Sequence, residues 1–567
     1  PVIRQPSQWL LGLALFTASV SLAYGAESFV ELGDQGQLVY EQDDRGDRIM
    51  DFSSAGFRGG GVPIPQVPSR LMLEPQAGED GWRIQAAIDH LSSMEPDGEG
   101  WRGALLLAPG KYEISGQLRI HTGGIVLRGS GQDADGTILL ATGQGRRTLL
   151  HVEGSPEAFQ GEEISLIPHY VPVGSTHLTV EDSSGFQIGQ RVRIRRPSPQ
   201  SWIDFMGMSS VEGRPTPTWK RDTVDVLWER TIQSMEGARM ELDAPLSCSL
   251  DPAFGGGTVQ AFQPSGRLLR VGIENLQLIS QSDPVHPKDE EHAWMGVSMN
   301  HVEDAWVRQV TTRGFVSSAV QLLEHCRSIT VMDCQNLDPV SELGGYRRHA
   351  FYTAGQQTLF LRCLSVEGRH DFSTGWRSAG PNAFVHCESR QAHAFSGPIE
   401  SWSTGVLYDN VIMDGGGLRL DHRELWDNGV GWAAANSVLW QCSAPIVVNR
   451  APPGAHNWAI GCWAQFVGNG HWRSSNEFVD PDSLYLYQLK ERKGGDALRA
   501  LEMQLISVDS LPSVWIAQTP AISQMPKQVS TARPLKLQDG WLVVGEQLAA
   551  GRQPGITWWR GHMSSSR

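Results

Sequence analysis

From residue 271 the chain repeats itself loosely, and this repeat limits its folding options more than any other feature. Short segments of alternating character end on aligned positions: Asn275, Gln309, Cys334, Cys363, Cys387, Asn410, Cys442 and Cys462. The pattern is plainest in Thr330-Val331-Met332-Asp333-Cys334, Leu359-Phe360-Leu361-Arg362-Cys363 and Ala383-Phe384-Val385-His386-Cys387. The intervals are 34, 25, 29, 24, 23, 32 and 20 residues, which suits solenoid rungs joined by loops of unequal length. Stacked strands place equivalent positions about 4.8 Å apart, so the aligned residues form an inward ladder. Small buried thiols fill such a ladder without disulfides, which accounts for five of the seven cysteines. A metal needs a compact ligand set, and residues strung along a line do not supply one; no metal ligands are assigned.

Length alone, 567 residues, would give about four domains at roughly 150 residues each. The repeat argues instead for one long solenoid with additions. Arg4, the apolar run from Trp9 to Val20 and the small residues around Ala23-Tyr24-Gly25 read as an export signal over residues 1–25. The run is short for a membrane span, so a secreted or periplasmic protein without an integral membrane segment is expected. Residues 26–165 read as a cap and first rungs, and 263–480 as the main rungs. Between them, 166–262 reads as an inserted β-rich subdomain of antiparallel strands such as Leu178-Thr179-Val180 and Val192-Arg193-Ile194. Residues 481–567 read as a helix, with Ser483 near its N-cap, followed by a tail. Acidic residues exceed basic ones by 15, which excludes a nucleic-acid partner.

Near the start, Ile84-Gln85-Ala86-Ala87-Ile88-Asp89 has helical spacing. Pro109-Gly110-Lys111-Tyr112 and Leu127-Arg128-Gly129-Ser130-Gly131 follow as strand and turn signals. In this order the block resembles the opening of the pectate-lyase-like superfamily of right-handed parallel β-helices. The Thr-Asp-Asp-Thr usual before the helix is replaced by Gly78-Glu79-Asp80-Gly81-Trp82. The resemblance implies an all-β, right-handed parallel β-helix with an N-terminal capping helix, and a carbohydrate-active enzyme. It identifies no specific family and carries no catalytic residue.

Chemistry belongs in the loops between rungs. The loops after Cys334, Cys363 and Cys387 hold His349, His370 and His393 with Arg347, Arg348, Arg369, Arg377 and Arg390. His370 lies seven residues after its anchor and His393 six after its own, which predicts one flank of the solenoid for both. Guanidinium groups match carboxylates, so the cluster suits a uronic-acid polysaccharide and its cleavage by β-elimination. A cation neutralises the C5 carboxylate, a base takes the C5 proton, and an acid protonates the leaving oxygen. His349, His370, His393, Tyr352, Arg369 and Glu400 are the candidate catalytic residues. Arg347, Arg348, Asp371, Arg377, Arg390 and Trp402 are the candidate substrate contacts, Trp402 as a sugar platform.

Glycoside hydrolysis on the same fold is the alternative and needs a carboxylate pair, for which Glu342, Glu367, Asp371, Glu400, Asp409 and Asp421 are available. A non-catalytic carbohydrate-binding solenoid is the third reading. No cofactor is required. Asp283, Asp289, Glu290, Glu291 and His292 offer the oxygen ligands calcium takes, although a solvated charge run reads the same way. A monomer acting on a polysaccharide or oligosaccharide is expected.

Overall fold

The computed structural model describes residues 29–159, 161–209, 219–424 and 430–502, together with a short antiparallel pair, Leu542–Val543 with Trp558–Trp559. The export signal expected over 1–25 and most of the expected tail lie outside these residues. Among the described residues no helix is long and apolar enough to cross a membrane.

The solenoid is a right-handed parallel β-helix whose strands join into one sheet system of 28. Each rung has three faces. On face A a single inward column runs Leu105, Leu127, Ile273, Val307, Val331, Phe360, Phe384, Tyr408, Leu439 and Ala459 in unbroken parallel register. Its aromatic members stack, with ring centroids 4.7 Å apart for Phe360–Phe384 and 5.1 Å for Phe384–Tyr408. The outer side of face A is apolar too, with Trp306, Leu359, Val385, Leu407 and Trp440 buried there. A parallel sheet of this kind needs cover on both sides. Residues 29–67 and helix α2 (Leu484–Lys493) supply it through Phe52, Phe57, Leu484 and Leu489. Helix α1 (Gly81–Ser93) closes the first rungs by burying Ile84, Ile88 and Leu91, as the sequence predicts.

Face A turns into face B through one residue of positive φ per rung: Asn275, Gln309, Asp333, Arg362, His386, Asn410, Gln441 and Gly461. The residue that follows points inward. The ladder is therefore Leu276, Val310, Cys334, Cys363, Cys387, Val411, Cys442 and Cys462. The five cysteines sit where the sequence puts them. The ladder assignments of Asn275, Gln309 and Asn410 are corrected by one residue, because these amides make the turn itself and the apolar residue after each fills the core. All seven cysteines are buried and unpaired.

Face B presents its outer side to solvent. Face C carries the strands Met295–Asn300, Val320–Leu322, Phe351–Thr353 and Phe372–Thr374, and its outward positions Ser298, Gln321, Tyr352, Ser373 and Gly397 lie in register. Between the first and later rungs, Arg191–Arg196, Val226–Glu236, Arg239–Leu242 and Thr258–Gln263 pair antiparallel. This insertion seats Trp202, Trp219 and Trp228 against Ala379, Trp402 and Ala435 at the corner between faces C and A.

Asp371 and Asp409 are among the carboxyls sealed within this scaffold. Asp371 accepts from Ser365 (2.6 Å) and Ser389 (2.5 Å) on adjacent rungs. Asp409 accepts from Ser483 Oγ (2.7 Å) and Tyr485 N (2.8 Å) and so pins the start of α2. Burial pushes each up to about 6. A carboxyl raised on folding takes up protons as the chain folds, so its contribution is full below the unfolded value near 4 and lost as pH rises through about 6. Asp371→Asn, which keeps a serine-bonded side chain without the charge, should remove its share. In urea unfolding, the stability difference between variant and wild type should shift in the variant's favour by about 2–3 kcal/mol from pH 4 to pH 7.

Candidate active site

The corner between faces C and A gathers polar side chains from successive rungs. Leu322, Thr353, Thr374 and Pro398 are in register, so the positions two residues later, Glu324, Gly355, Trp376 and Glu400, line up along the solenoid. Glu400 is the best-supported group there. Its Oε2 accepts from Tyr352 Oη (3.1 Å) and from the Trp376 amide (2.6 Å), and its Oε1 accepts from Tyr346 Oη (3.3 Å). A carboxylate is an acceptor at both oxygens, and three donors from three segments fix its direction. Burial, and next the Glu400 charge, raise Tyr352 well above an ordinary tyrosine, so its hydroxyl stays a donor. The backbone at Gly375 passes so close that a Cβ there would stand 1.8 Å from Tyr352 Oη and 3.0 Å from Glu400 Oε2.

Arg377 donates to Glu324 (3.1 Å) and lies over the Trp376 ring, 5.7 Å from its centroid. Against this side the insertion brings Arg193 and Asp225, which with Glu324, His325, Gln356 and Arg377 line a cleft of about 40 Å³. Arg419 and Arg423 both lie over Phe395, at 5.1 and 5.2 Å. Arg423 also donates to the Ile399 carbonyl.

Of the candidates from sequence, Tyr352 and Glu400 meet at this corner, while His349, His370 and Arg369 gather at the other end of face C, just before its strands, and are linked to the corner through Tyr346 and its loop. The two imidazoles are in edge contact, centroids 5.0 Å apart, and His370 Nδ1 faces the Phe395 carbonyl at 2.7 Å. They are 5% and 2% exposed, so they are packed groups closed to a substrate. Burial, reinforced by the Arg369 charge, holds His349 down to about 3. Burial, then the neighbouring His349, holds His370 well below its usual value. Arg369 donates to the Gly345 carbonyl at 2.5 Å and so ties the loop bearing Tyr346 and His349.

The remaining candidates lie apart. His393 is exposed and stands beyond the Gly368 carbonyl that its amide meets at 2.8 Å. Arg390 pairs with Glu388 on exposed face B (2.6 Å). Arg347 holds Glu290 bidentately on the neighbouring loop, and Arg348 braces Ser341 (3.1 Å). Asp371 is inside the solenoid, where no substrate reaches. Trp402, expected as a sugar platform, is 1% exposed beneath Trp202 and Trp219 of the insertion; the apolar underside of the insertion takes the surface that a sugar would need. In the acidic loop, Glu290 is engaged by Arg347, while Asp283 and Asp289 accept backbone amides within the loop.

Tyr346, Trp376, Glu324, Arg419 and Arg423 were not read from the sequence. Glu324 has a signal that could have found it, since like Glu400 it stands two residues past the end of a face C strand.

No family model matches the chain, and no curated protein matches it. Among solved structures it is similar to the tailspike protein gp49 from Pseudomonas phage LKA1, at 15% identity over 69% of this chain and 70% of that one, with a TM-score of 0.38. It is also similar to a polygalacturonase from Erwinia carotovora ssp. carotovora, at 8% identity over 73% and 85%, TM-score 0.33. A third is the catalytic unit of a GH87 α-1,3-glucanase from Streptomyces thermodiastaticus, at 8% identity over 74% and 70%, TM-score 0.34. Likenesses this distant carry no argument about chemistry, which rests on the side chains.

Gly375→Ala should drive Tyr352 off Glu400 and cost about 1–3 kcal/mol in urea unfolding. Gly116→Ala, where a Cβ meets nothing within 4 Å, should change stability by less than about 0.5 kcal/mol.

Proposed function

We propose that this chain is an exported carbohydrate-active enzyme that cleaves a uronic-acid-containing polysaccharide by β-elimination at the Glu400 corner. The observation that carries the reading is the Glu400 carboxylate, aimed by Tyr352, Tyr346 and the Trp376 amide beside half-buried arginines. In this reading Arg377 neutralises the C5 carboxylate of the sugar, with Arg419 and Arg423 along the rim. Glu400 takes the C5 proton, the C4–O bond breaks as the C4–C5 double bond forms, and the Tyr346 hydroxyl protonates the leaving oxygen. Proton transfer from Glu400 to the tyrosinate restores both groups. The sealed imidazoles are not the base, since a base must reach the proton it takes. The half-buried Trp376 ring takes over the platform role. The export signal expected over 1–25 fits a polymer met outside the cytoplasm.

Hydrolysis is the competing outcome. Its two carboxyls must stand roughly 5–9.5 Å apart. Glu324 and Glu400 lie three rungs apart, about 14 Å at 4.8 Å per rung, so this pair is too wide at the backbone.

Incubation with a panel of uronate polysaccharides should give both new reducing ends and the ultraviolet absorbance of an unsaturated uronate. Glu400→Gln should lower kcat by about 10²–10⁴, and Tyr346→Phe should lower it as well. His393→Ala and Arg390→Ala should stay near wild type. New ends without absorbance would replace elimination by hydrolysis, and binding without either would make the chain a carbohydrate-binding solenoid.

A further inference from the structure

A second polar constellation lies where the N-terminal segment meets the last rungs. His456 Nε2 faces Asp43 Oδ2 at 3.0 Å, and ligand atoms of Asp43, Asp47 and His456 all lie within 4.8 Å of one another. We propose that Asp43, Asp47 and His456 bind one divalent transition-metal ion, of the zinc or manganese class, and that this ion staples the chain's first segment to its last rungs.

The distances suit an ion. Two ligands bound at about 2.0–2.1 Å with angles of 90–110° stand roughly 2.9–3.4 Å apart, and the His456–Asp43 separation already has that value. Two carboxylates balance a divalent charge, and one imidazole with oxygen ligands selects borderline ions over calcium.

Each ligand is also oriented from behind. His456 Nδ1 meets His471 Nε2 at 2.8 Å. With the proton on Nδ1 shared toward His471, Nε2 keeps its lone pair for the ion, the arrangement by which protein histidines are held for ligation. Asp43 Oδ1 accepts from the amides of Arg45 (2.8 Å) and Asp47 (2.9 Å), which leaves Oδ2 for the ion. Asp47 accepts from Tyr170 Oη (2.6 Å) and the Val173 amide (2.8 Å), so the inserted subdomain buttresses the same point. Side-chain exposure of 20% for His456 and 22% for Asp43 leaves a path for entry.

The comparable group Glu157, His301 and His325 illustrates the contrast. There Arg267 donates to Glu157 (3.0 Å) and already supplies the positive charge. Among the described residues no arginine pairs with Asp43 or Asp47: the nearby Arg45, whose charge reaches Asp47, turns its guanidinium to Asp251 (2.6 Å) and stacks on Tyr170.

Chelator-treated full-length protein, titrated calorimetrically with zinc chloride and with manganese chloride, should bind one ion per chain and gain thermal stability on binding. Asp43→Asn, which keeps the turn, and His456→Gln should each weaken binding at least 10-fold. His286→Ala, on the separate acidic loop, should bind as wild type. Absence of stoichiometric binding overturns the site, as does binding that survives Asp43→Asn or that His286→Ala abolishes. Circular dichroism of each variant separates loss of a ligand from loss of the fold.

Discussion

The corner between faces A and B governs the rest of the molecule. One residue per rung takes positive φ, and the next drops a narrow side chain into the core. A non-glycine residue in that conformation costs on the order of 1–2 kcal/mol, and the repetition offsets it. Each cysteine Sγ lies close to the carbonyl one rung back, as for Cys363 and Val331 (3.6 Å) or Cys442 and Tyr408 (3.2 Å). A thiol is thin enough for the two strands to meet at a tight angle and polarisable enough to pack there. This fixes the inward column of face A, whose stacked aromatics hold successive rungs in register.

The same corner explains what was legible in the sequence. The cysteine ladder could be read because a small, distinctive residue recurs beside a strand. Asn275 and Asn410 misled by one position because asparagine visits the left-handed conformation readily and occupies the turn; Gln309 misled in the same way because it stands at the same turn position. In an alternating strand a slip of one residue exchanges the inside for the outside, yet composition barely registers it. The capping helix and the helix at Ser483 were legible from local periodicity and capping. The grip on Glu400 was not. Tyr346, Tyr352 and Trp376 reach it from other rungs, and which residues of different rungs meet depends on loop lengths summed over the repeat. His393 shows the limit of counting from an anchor: a residue's distance along its rung sets its level but not which way its side chain faces.

Function is confined by what each face has left to offer. Face A is buried on both sides by residues 29–67 and α2. The solenoid interior holds Asp371, and Asp409 is sealed between face A and α2; the hydrogen bonds of both are spent on the scaffold. The corner between faces C and A keeps half-buried polar groups because the insertion approaches it without sealing it, leaving a cleft between Arg193 and Arg377. Trp402 and Trp376 mark the boundary of that approach. The first is sealed beneath the insertion's tryptophans, and the second stays half exposed beside Glu400.

The insertion holds this cleft rigidly because its seam with the solenoid is ionic as well as apolar. Arg267 joins Glu229 (2.7 Å) and Glu303 (3.2 Å), Arg191 joins Glu303 (2.6 Å), and Arg327 joins Glu303 (2.7 Å) and Asp243. Burial would raise these carboxyls, yet the surrounding guanidinium groups keep Glu229, Glu303 and Asp243 below the usual range. An apolar seam of equal area could slide, since hydrophobic contact is not directional. Buried charges are different: separating a pair leaves each charge desolvated and uncompensated, at about 3–5 kcal/mol. The network adds little net stability over a well-packed apolar seam, but it penalises every alternative placement of the insertion. Arg193, which lines the cleft, also joins Glu229 (3.2 Å). The wall facing Arg377 is thereby tied to the same charges that fix the insertion on the rungs.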